Sequence, residues 1–288
     1  MKPTILISGA TGSTGSVAAN LLLEKGFPVR ALVHKHDERS ERLKAQGAEI
    51  VEGDFLNFRS VQPAFEGVQR AYFCYPVAPG IVQATVHFAQ AALDAKVEYV
   101  VNISQRTSRA DAISESAIEH WLAEQVFDRS GVPLTHLRPT AFNEWLLYTR
   151  EKISEGEYGV PFSSNGKFAP VSARDQGKVI AEILANPVEH IGKTYSLHGP
   201  VELTPPQIAE IVSQTLGKEV RYRQTTPEEW IQIVFGGEFP FGAQHLAGIV
   251  QQHERGDMAG TNDNIERITG QKPESVAEYV ERHRQAFA

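Results

Sequence analysis

From its first residues the chain alternates two patterns. Short apolar, β-branched or aromatic runs are each followed by a stretch of helical spacing, most of them ending in glycine. TILIS (4–8) precedes a helix expected near 14–25 that stops at Gly26, and VRALV (29–33) precedes one near 38–46 that stops at Gly47. AEIVE (48–52) leads to a helix near 59–66 that stops at Gly67, and RAYFCY (70–75) to one near 80–95. VEYVVNIS (97–104) leads to a helix around 114–130 that stops at Gly131, and PLTHLR (133–138) closes the series. Glycine suits the position just past a helix, where the left-handed conformation costs it little. Strands this apolar, alternating with helices, predict a parallel sheet covered on both faces.

After residue 139 the rhythm changes. GEYGVPFSSNGKFAP (156–170) is expected to be loop-rich, followed by a helix near 173–185 and a strand KTYSLHG (193–199). TPPQIAEIVSQTLG (204–217) reads as a helix with Thr204 as its N-cap, proline at its start and Gly217 at its end. FGGEFPFGAQH (235–245) reads as a mobile, partly apolar loop.

Composition narrows the partners. The 288 residues are 41% apolar, enough for a sizeable core, and carry a net charge of -7 with no basic run. Nucleic acid is therefore not expected as the main partner, since phosphate binding needs clustered Lys and Arg. The single cysteine, Cys74, lies in an apolar run and excludes an intramolecular disulfide and a thiolate metal site. Scattered histidines and the lack of HExxH, CxxC or GxSxG give no metal site and no hydrolase signature. No stretch has the length of a membrane span, and MKPTILISG is too short for a signal peptide, so a cytoplasmic location is expected.

The most specific chemistry lies in ISGATGSTGSVAANLL. Gly9, Gly12 and Gly15 follow the first expected strand and open the first expected helix. That context suits a dinucleotide pyrophosphate: one glycine makes the tight turn, one admits the phosphates, and one lets helix and strand pack closely. A glycine-rich turn without ligand is the plainer alternative. The expected fold class is accordingly α/β, a Rossmann-type doubly wound parallel sheet with a smaller C-terminal α/β lid. Residues 1–145 would form the dinucleotide-binding domain, with a returning segment near 168–190. Residues 146–288 would form the smaller substrate or lid region, interleaved with it.

The second strand ends in Val33-His34-Lys35, with no acid until Asp37. An NAD site usually places Asp or Glu there for the ribose 2′-OH. Lys35, with His34, suits a 2′-phosphate better, so NADP(H) is expected over NAD(H), which stays open as the second cofactor. Both residues also fit an exposed loop with no ligand. Asp54, after the third strand, could accept from an adenine amino group with Phe55 against the ring, or simply cap a turn.

Ser116, His120 and Glu124 are spaced i, i+4, i+8 and share one helix face. GATGSTG, RALVHK, EGDF, SAIEHWLAEQVFDRSGVPLTHLRP and VSARDQGKVIA together resemble the NmrA-like branch of the atypical short-chain dehydrogenase/reductases, over nearly the whole chain. That branch includes NADPH-dependent quinone and triphenylmethane-dye reductases, and regulators that bind the dinucleotide without turnover. The resemblance implies that Thr11, Ser13 and Thr14 lie beside the pyrophosphate. His34 stands where reductase members often carry Arg. Tyr75 and Pro76 would flank the cofactor ribose, Ser104 and Gln105 would lie near the nicotinamide, and Pro139, Thr140, Ala141 and Phe142 would pass it. Phe142, Trp145 and Tyr148 would face the substrate, with Phe239 or Phe241 as further candidates, although each of these rings also fits a lid core.

His120 falls where related reductases carry an active-site Lys, and some NmrA-like members have His there. Ser116 falls where the relatives carry Tyr. Serine is too weak an acid to protonate an alkoxide near neutral pH, whereas an imidazole, with an ordinary pKa of about 6.5, can donate a proton or hold a ribose hydroxyl. A surface histidine paired with Glu119 or Glu124 is the plainer reading. The substitution disfavours ketone redox and keeps hydride transfer to an electron-poor aromatic acceptor, such as a quinone or a dye. The expected function is NADPH-dependent reduction of such a small aromatic substrate. The rival is a non-catalytic NADP sensor acting through a protein partner; isomerisation of a nucleotide sugar is weakened by the missing Tyr and Lys.

Overall fold

The computed structural model describes residues 2–237, 239 and 241–288. In chain order its first half contains β1 (Ile5–Ser8), α1 (Ser13–Glu24), β2 (Val29–Val33), α2 (Glu38–Ala45), β3 (Glu49–Glu52), α3 (Phe58–Val61), β4 (Arg70–Phe73), α4 (Ile81–Asp94), β5 (Tyr99–Ile103), α5 (Glu115–Ser130) and β6 (Leu134–Pro139). There follow α6 (Trp145–Tyr148), α7 (Arg150–Ser154), β7 (Glu157–Val160), α8 (Ala173–Ala185), β8 (Thr194–Leu197), α9 (Pro205–Leu216) and β9 (Arg221–Gln224). The chain ends with α10 (Pro227–Phe235), α11 (Gly242–Glu254), α12 (Asn264–Thr269) and α13 (Val276–Arg282). Two compact units result: residues 1–110, 119–138 and 173–195 make the first, and residues 111–118, 139–172 and 196–288 the second.

Seven strands form one sheet in the order β3-β2-β1-β4-β5-β6-β8. The five pairs from β3 to β6 are parallel. At the far edge the bonds His136 N–H to Lys193 O and Thr140 N–H to Leu197 O advance together along both strands, which is parallel pairing again. The order reverses between β1 and β4, the switch point beside which doubly wound sheets bind ligands.

The first unit shows why these runs become strands. Every residue of β1 and of β5 is buried, as a sheet covered on both faces requires. Leu6, Leu32 and Phe73 belong to one cluster with Phe65, Phe88 and Phe127, whose rings meet edge-on or tilted at 4.8–6.1 Å. Each such phenyl removed from water stabilises the fold by about 2–3 kcal/mol. α1 packs on α8, where Gly177 lies against Val17. Arg70 closes the end of α8 by donating to the carbonyls of Leu184 (2.5 Å) and Ala185 (2.8 Å), two acceptors that a helix C-terminus leaves open.

In the second unit Phe162, Trp230, Ile208, Val212 and Tyr279 form the core. Thr204 caps α9 through a reciprocal box with Gln207, and Gly217 ends it at φ 71°, as its sequence predicts. Two expectations need correction. Within the segment 156–170, expected as loop, Glu157–Val160 is a strand that pairs in parallel with Arg221–Gln224. Four residues, with a glycine among them, are too few for the alternation to stand out. The loop expected at 235–245 includes Glu238 and Pro240, which lie outside the described residues. Around them, Phe235 ends one helix and Gly242 begins another. Gly236, at φ 62°, is a helix stop and Gly242 a helix start, so both ends of the expected loop belong to helices.

Candidate functional site

The site begins where β1 turns into α1. Gly9 holds φ 59° and its carbonyl accepts from Gly12 N–H at 2.9 Å, which closes the turn. A Cβ on Gly15 would lie 2.3 Å from the Gly9 carbonyl oxygen, and one on Gly12 3.2 Å from it. Glycine is thus needed for the close passage of backbone over backbone. α1 starts at Gly12 with no side-chain cap and no acidic residue in its first turn. Its leading N–H groups therefore face outward uncompensated by any side chain, with the positive end of the helix dipole behind them. Ser13 and Gly12 are exposed, Thr11 is half-buried and Thr14 is buried. Thr14 Oγ1 meets the Tyr72 hydroxyl at 3.3 Å.

The floor of this loop comes from β4. The Cys74 Cβ would lie 3.4 Å from a Cβ on Gly9. Cys74 N–H donates to Ser8 Oγ at 2.8 Å, tying the two strand ends together at the switch point. Burial pushes the Cys74 thiol up, and burial pushes the Tyr72 phenol well above its ordinary value. Both stay protonated and serve as packing beneath the loop.

Along the same carboxyl edge, β2 is followed by His34 and Lys35, both exposed. Asp37 caps α2, accepting from Arg39 N–H (2.9 Å) and Ser40 N–H (3.1 Å). The Arg39 guanidinium also grips the Asp37 carboxylate at 2.6 and 2.9 Å and, with the Ser40 N–H, holds its carboxyl below the usual range. The acid nearest the expected ribose is thus occupied with its own helix, while Lys35 stays beside it. Arg39 is a residue of this cluster that sequence reasoning passed over; its place in a DERSER run reads as an ordinary solvated face.

Asp54, exposed after β3, accepts the Leu56 N–H at 2.9 Å and so caps a turn. Phe55 is half-buried and packs on Phe73 and Tyr75 at 5.6 and 6.1 Å. Tyr75 donates its hydroxyl to Pro79 O at 2.8 Å, and Pro76 beside it is exposed. Ser104 directly follows β5; its Oγ is buried without a hydrogen-bond partner among the described residues. Such a hydroxyl is costly unless a ligand or water meets it. Gln105 follows, half-buried. On α5, His120 is half-buried and Ser116 buried. Glu124 is 2% exposed, and its carboxylate takes a two-pronged bond from Arg138, with Nε at 2.9 Å and Nη2 on the other oxygen.

The remaining candidates belong to the second unit. Pro139 is buried. Thr140 donates to Met258 O at 3.4 Å, Ala141 O accepts from Val171 N–H at 2.9 Å, and Phe142 bridges to Val171. Trp145 stacks on Phe162 at 5.1 Å and lies 5.2 Å from Trp230. Tyr148 is half-exposed, 6.4 Å from Phe235, which in turn lies 5.0 Å from Phe239. Phe241 stacks on His245 at 6.1 Å. Trp145, Tyr148 and Phe239 are thus joined through Trp230 and Phe235 in one run of rings, with Trp145 in its packed part and Tyr148 at its surface, whereas Phe241 pairs with His245.

The residues of the first unit fit a dinucleotide on structural grounds. The glycine cradle would be filled by any Cβ, the helix start lacks a compensating side chain, and Ser104 Oγ is orphaned at the end of β5. Loops after β1, β2, β4 and β5 supply all of these groups from one edge of a parallel sheet.

The chain is similar to known proteins over almost its full length. An NAD(P)H azoreductase from Xenophilus azovorans is 30% identical over 287 residues, covering 98% of this chain and 99% of its own. An NADPH-dependent quinone oxidoreductase from Escherichia coli, solved with NADPH, superposes with a TM-score of 0.84 at 23% identity, covering 97% of this chain and 99% of that one. The triphenylmethane reductase of Citrobacter sp., solved with NADP(H), gives 0.83 at 24% identity over 96% and 99% of the two chains. The NmrA-like family model matches residues 1–282. With that match spanning almost its full length, the chain belongs to the NmrA-like family.

Proposed function

We propose that this protein is an NADPH-dependent reductase of electron-poor aromatic acceptors of the quinone, azo or cationic-dye type. The observation that carries the reading is the uncapped start of α1 beneath the glycine turn, whose open N–H groups suit a pyrophosphate. The azoreductase, quinone reductase and dye reductase relatives support the choice of acceptor class.

When bound, the dihydronicotinamide would supply a hydride, two electrons with one proton. Residues Gly9 to Gly15, with Thr11, Ser13 and Thr14, would hold its pyrophosphate. Lys35, with His34, would face the 2′-phosphate and favour NADPH over NADH. Asp54 and Phe55 would border the adenine, and Tyr75 and Pro76 the ribose. Ser104, Gln105 and the segment Pro139, Thr140, Ala141 and Phe142 would lie at the nicotinamide end. Phe142, Trp145 and Tyr148 would receive the flat acceptor.

Ser116 leaves no phenol to act as acid. His120 would supply the second proton of the reduction, or orient the ribose. A quinone or azo group accepts hydride readily because the incoming charge is delocalised or lands on an electronegative atom, so little acid assistance is needed. His120→Ala should lower turnover by about tenfold or more and weaken NADPH several-fold, the pattern of a group that serves the chemical step and also meets the nicotinamide ribose.

The deciding experiment mixes the purified protein with NADPH and follows nicotinamide absorbance across quinones, azo dyes and cationic dyes. Rapid oxidation with any of them supports the reading. Tight NADPH binding without oxidation across the panel would replace it with a regulator that reports cofactor state to a protein partner.

A further inference from the structure

The helix that carries His120 is fastened to the sheet by two polar clamps on the same stripe. His120, Glu124 and Asp128 follow one another at four-residue steps along α5. Glu124 is bound by Arg138, as described, and Asp128 Oδ1 lies 3.1 Å from His136 Nε2. Arg138 and His136 are two apart on β6 and so project from the same face of that strand. The spacings match. Four helical residues rise about 6 Å and two strand residues about 6.6 Å, so both clamps close at once only in one setting. Sliding α5 along β6, or turning it about its own axis, would break both.

The Glu124–Arg138 clamp is no ordinary surface ion pair, and the second clamp joins a buried His136 to a half-exposed Asp128. Glu124 is 2% exposed and has no cheap alternative to Arg138. The Glu124 carboxylate holds Arg138 above its usual pKa. His136 is buried, and its Nδ1 receives the amide of Asn102 at 2.9 Å, its register partner on β5. Because that amide donates, Nδ1 accepts and Nε2 carries the proton offered to Asp128. The arrangement runs from Asn102 in the middle of the sheet, through His136 on β6, to Asp128 on the helix, about two turns below His120, with Glu124 one turn below it. A helix whose only task was to cover the sheet would need no such specification, because apolar packing tolerates small rotations.

We propose that Glu124 and Arg138 are positioning residues that fix the rotation of α5 and thereby the placement of the His120 ring at the nicotinamide end of the cofactor. The inference rests on the reductase reading for its kinetic arm and on dinucleotide binding for its second arm.

The test is Glu124→Gln, alone and combined with His120→Ala. Turnover of the best azo or quinone acceptor is measured, together with the affinities for NADPH and for 2′,5′-ADP, which lacks the nicotinamide half. Glu124→Gln should lower kcat by about tenfold or more, as displacement of a reacting group does. In the His120→Ala background the same change should have almost no further effect. NADPH should bind several-fold more weakly, and 2′,5′-ADP unchanged. Equal weakening of both nucleotides, or the same kcat loss with and without His120, would overturn the proposal, since general loosening of the unit predicts both. If the parent protein binds NADPH but turns nothing over, the reductase reading fails; selective loss of NADPH over 2′,5′-ADP would still support the positioning role. Should Glu124→Gln not fold by its melting curve, Arg138→Lys repeats the test, keeping the charge but not the two-pronged geometry.

Discussion

A Cβ on Gly15 would stand 2.3 Å from the carbonyl oxygen of Gly9, with the Gly9 carbonyl carbon at 2.8 Å. The obstacle is backbone, so no side-chain rotation relieves it. Gly15→Ala must push α1 away from the turn, moving the helix N–H groups that would hold the pyrophosphate. We expect NADPH affinity to fall by at least about tenfold and stability by roughly 1–3 kcal/mol. Cofactor titration by fluorescence and urea unfolding measure the two effects, and retained affinity would show that the loop does not hold the cofactor.

Gly177, on α8 where it packs against α1, offers a contrast. Glycine to alanine inside a helix ordinarily stabilises by up to about 1 kcal/mol. Here the added methyl would lie 2.5 Å from Val17 Cβ and 3.0 Å from Thr14 O. Gly177→Ala should therefore destabilise by about 1–3 kcal/mol, reversing the usual sign. A shift of the urea midpoint in the stabilising direction would refute this.

In the proposed function Lys35, two residues before the Asp37–Arg39 pair, faces the cofactor's 2′-phosphate. Lys35→Ala should weaken NADPH by roughly tenfold, the worth of one hydrogen bond to a charged group, and leave NADH nearly unchanged. Equal losses for the two cofactors would remove Lys35 from that role.

Acid sensitivity should come from the second unit. His253 is fully buried beside Phe162 and Phe168, with ring distances of 4.9 and 5.3 Å. Burial lowers its pKa from 6.5 to about 4, and a hydrogen bond with the Gly166 backbone only partly opposes this. Between pH 6.5 and 4 the unfolded chain binds this proton and the folded chain does not. Stability is thus complete above pH 6.5 and falls as pH drops toward 4, by as much as about 3 kcal/mol. Melting temperatures from pH 7 to 4.5 should decline for the parent protein and less steeply for His253→Gln. Parallel declines would assign the acid limb to other groups.

Much of the first unit was legible in the sequence because its information is local. VRALV became β2 at Val29–Val33, as expected, and the expected helix near 173–185 is Ala173–Ala185. The glycine turn was readable for the same reason: strand, turn and helix start lie within about a dozen consecutive residues. The β7–β9 pair was not legible, since its partners stand about sixty positions apart and neither is long enough to show a period. The sequence placed Glu124 on the face of His120 but could not say what it bonds. Only folding brings Arg138 to it across the gap between α5 and β6.

The sequence by itself therefore determined the order of strands and helices from β1 to β6, the glycine turn between β1 and α1, and the absence of a Tyr–Lys pair at Ser116 and His120. These depend on residue type and short-range spacing, which the chain carries along its own length. The tertiary structure decided that Asp37 spends its charge on α2 and Arg39, that Trp145 stacks between Phe162 and Trp230, and that α5 is locked at one rotation by Glu124 and Asp128. Those outcomes depend on which groups lose water together, and a buried charge or ring finds its partner by proximity in space, not along the chain.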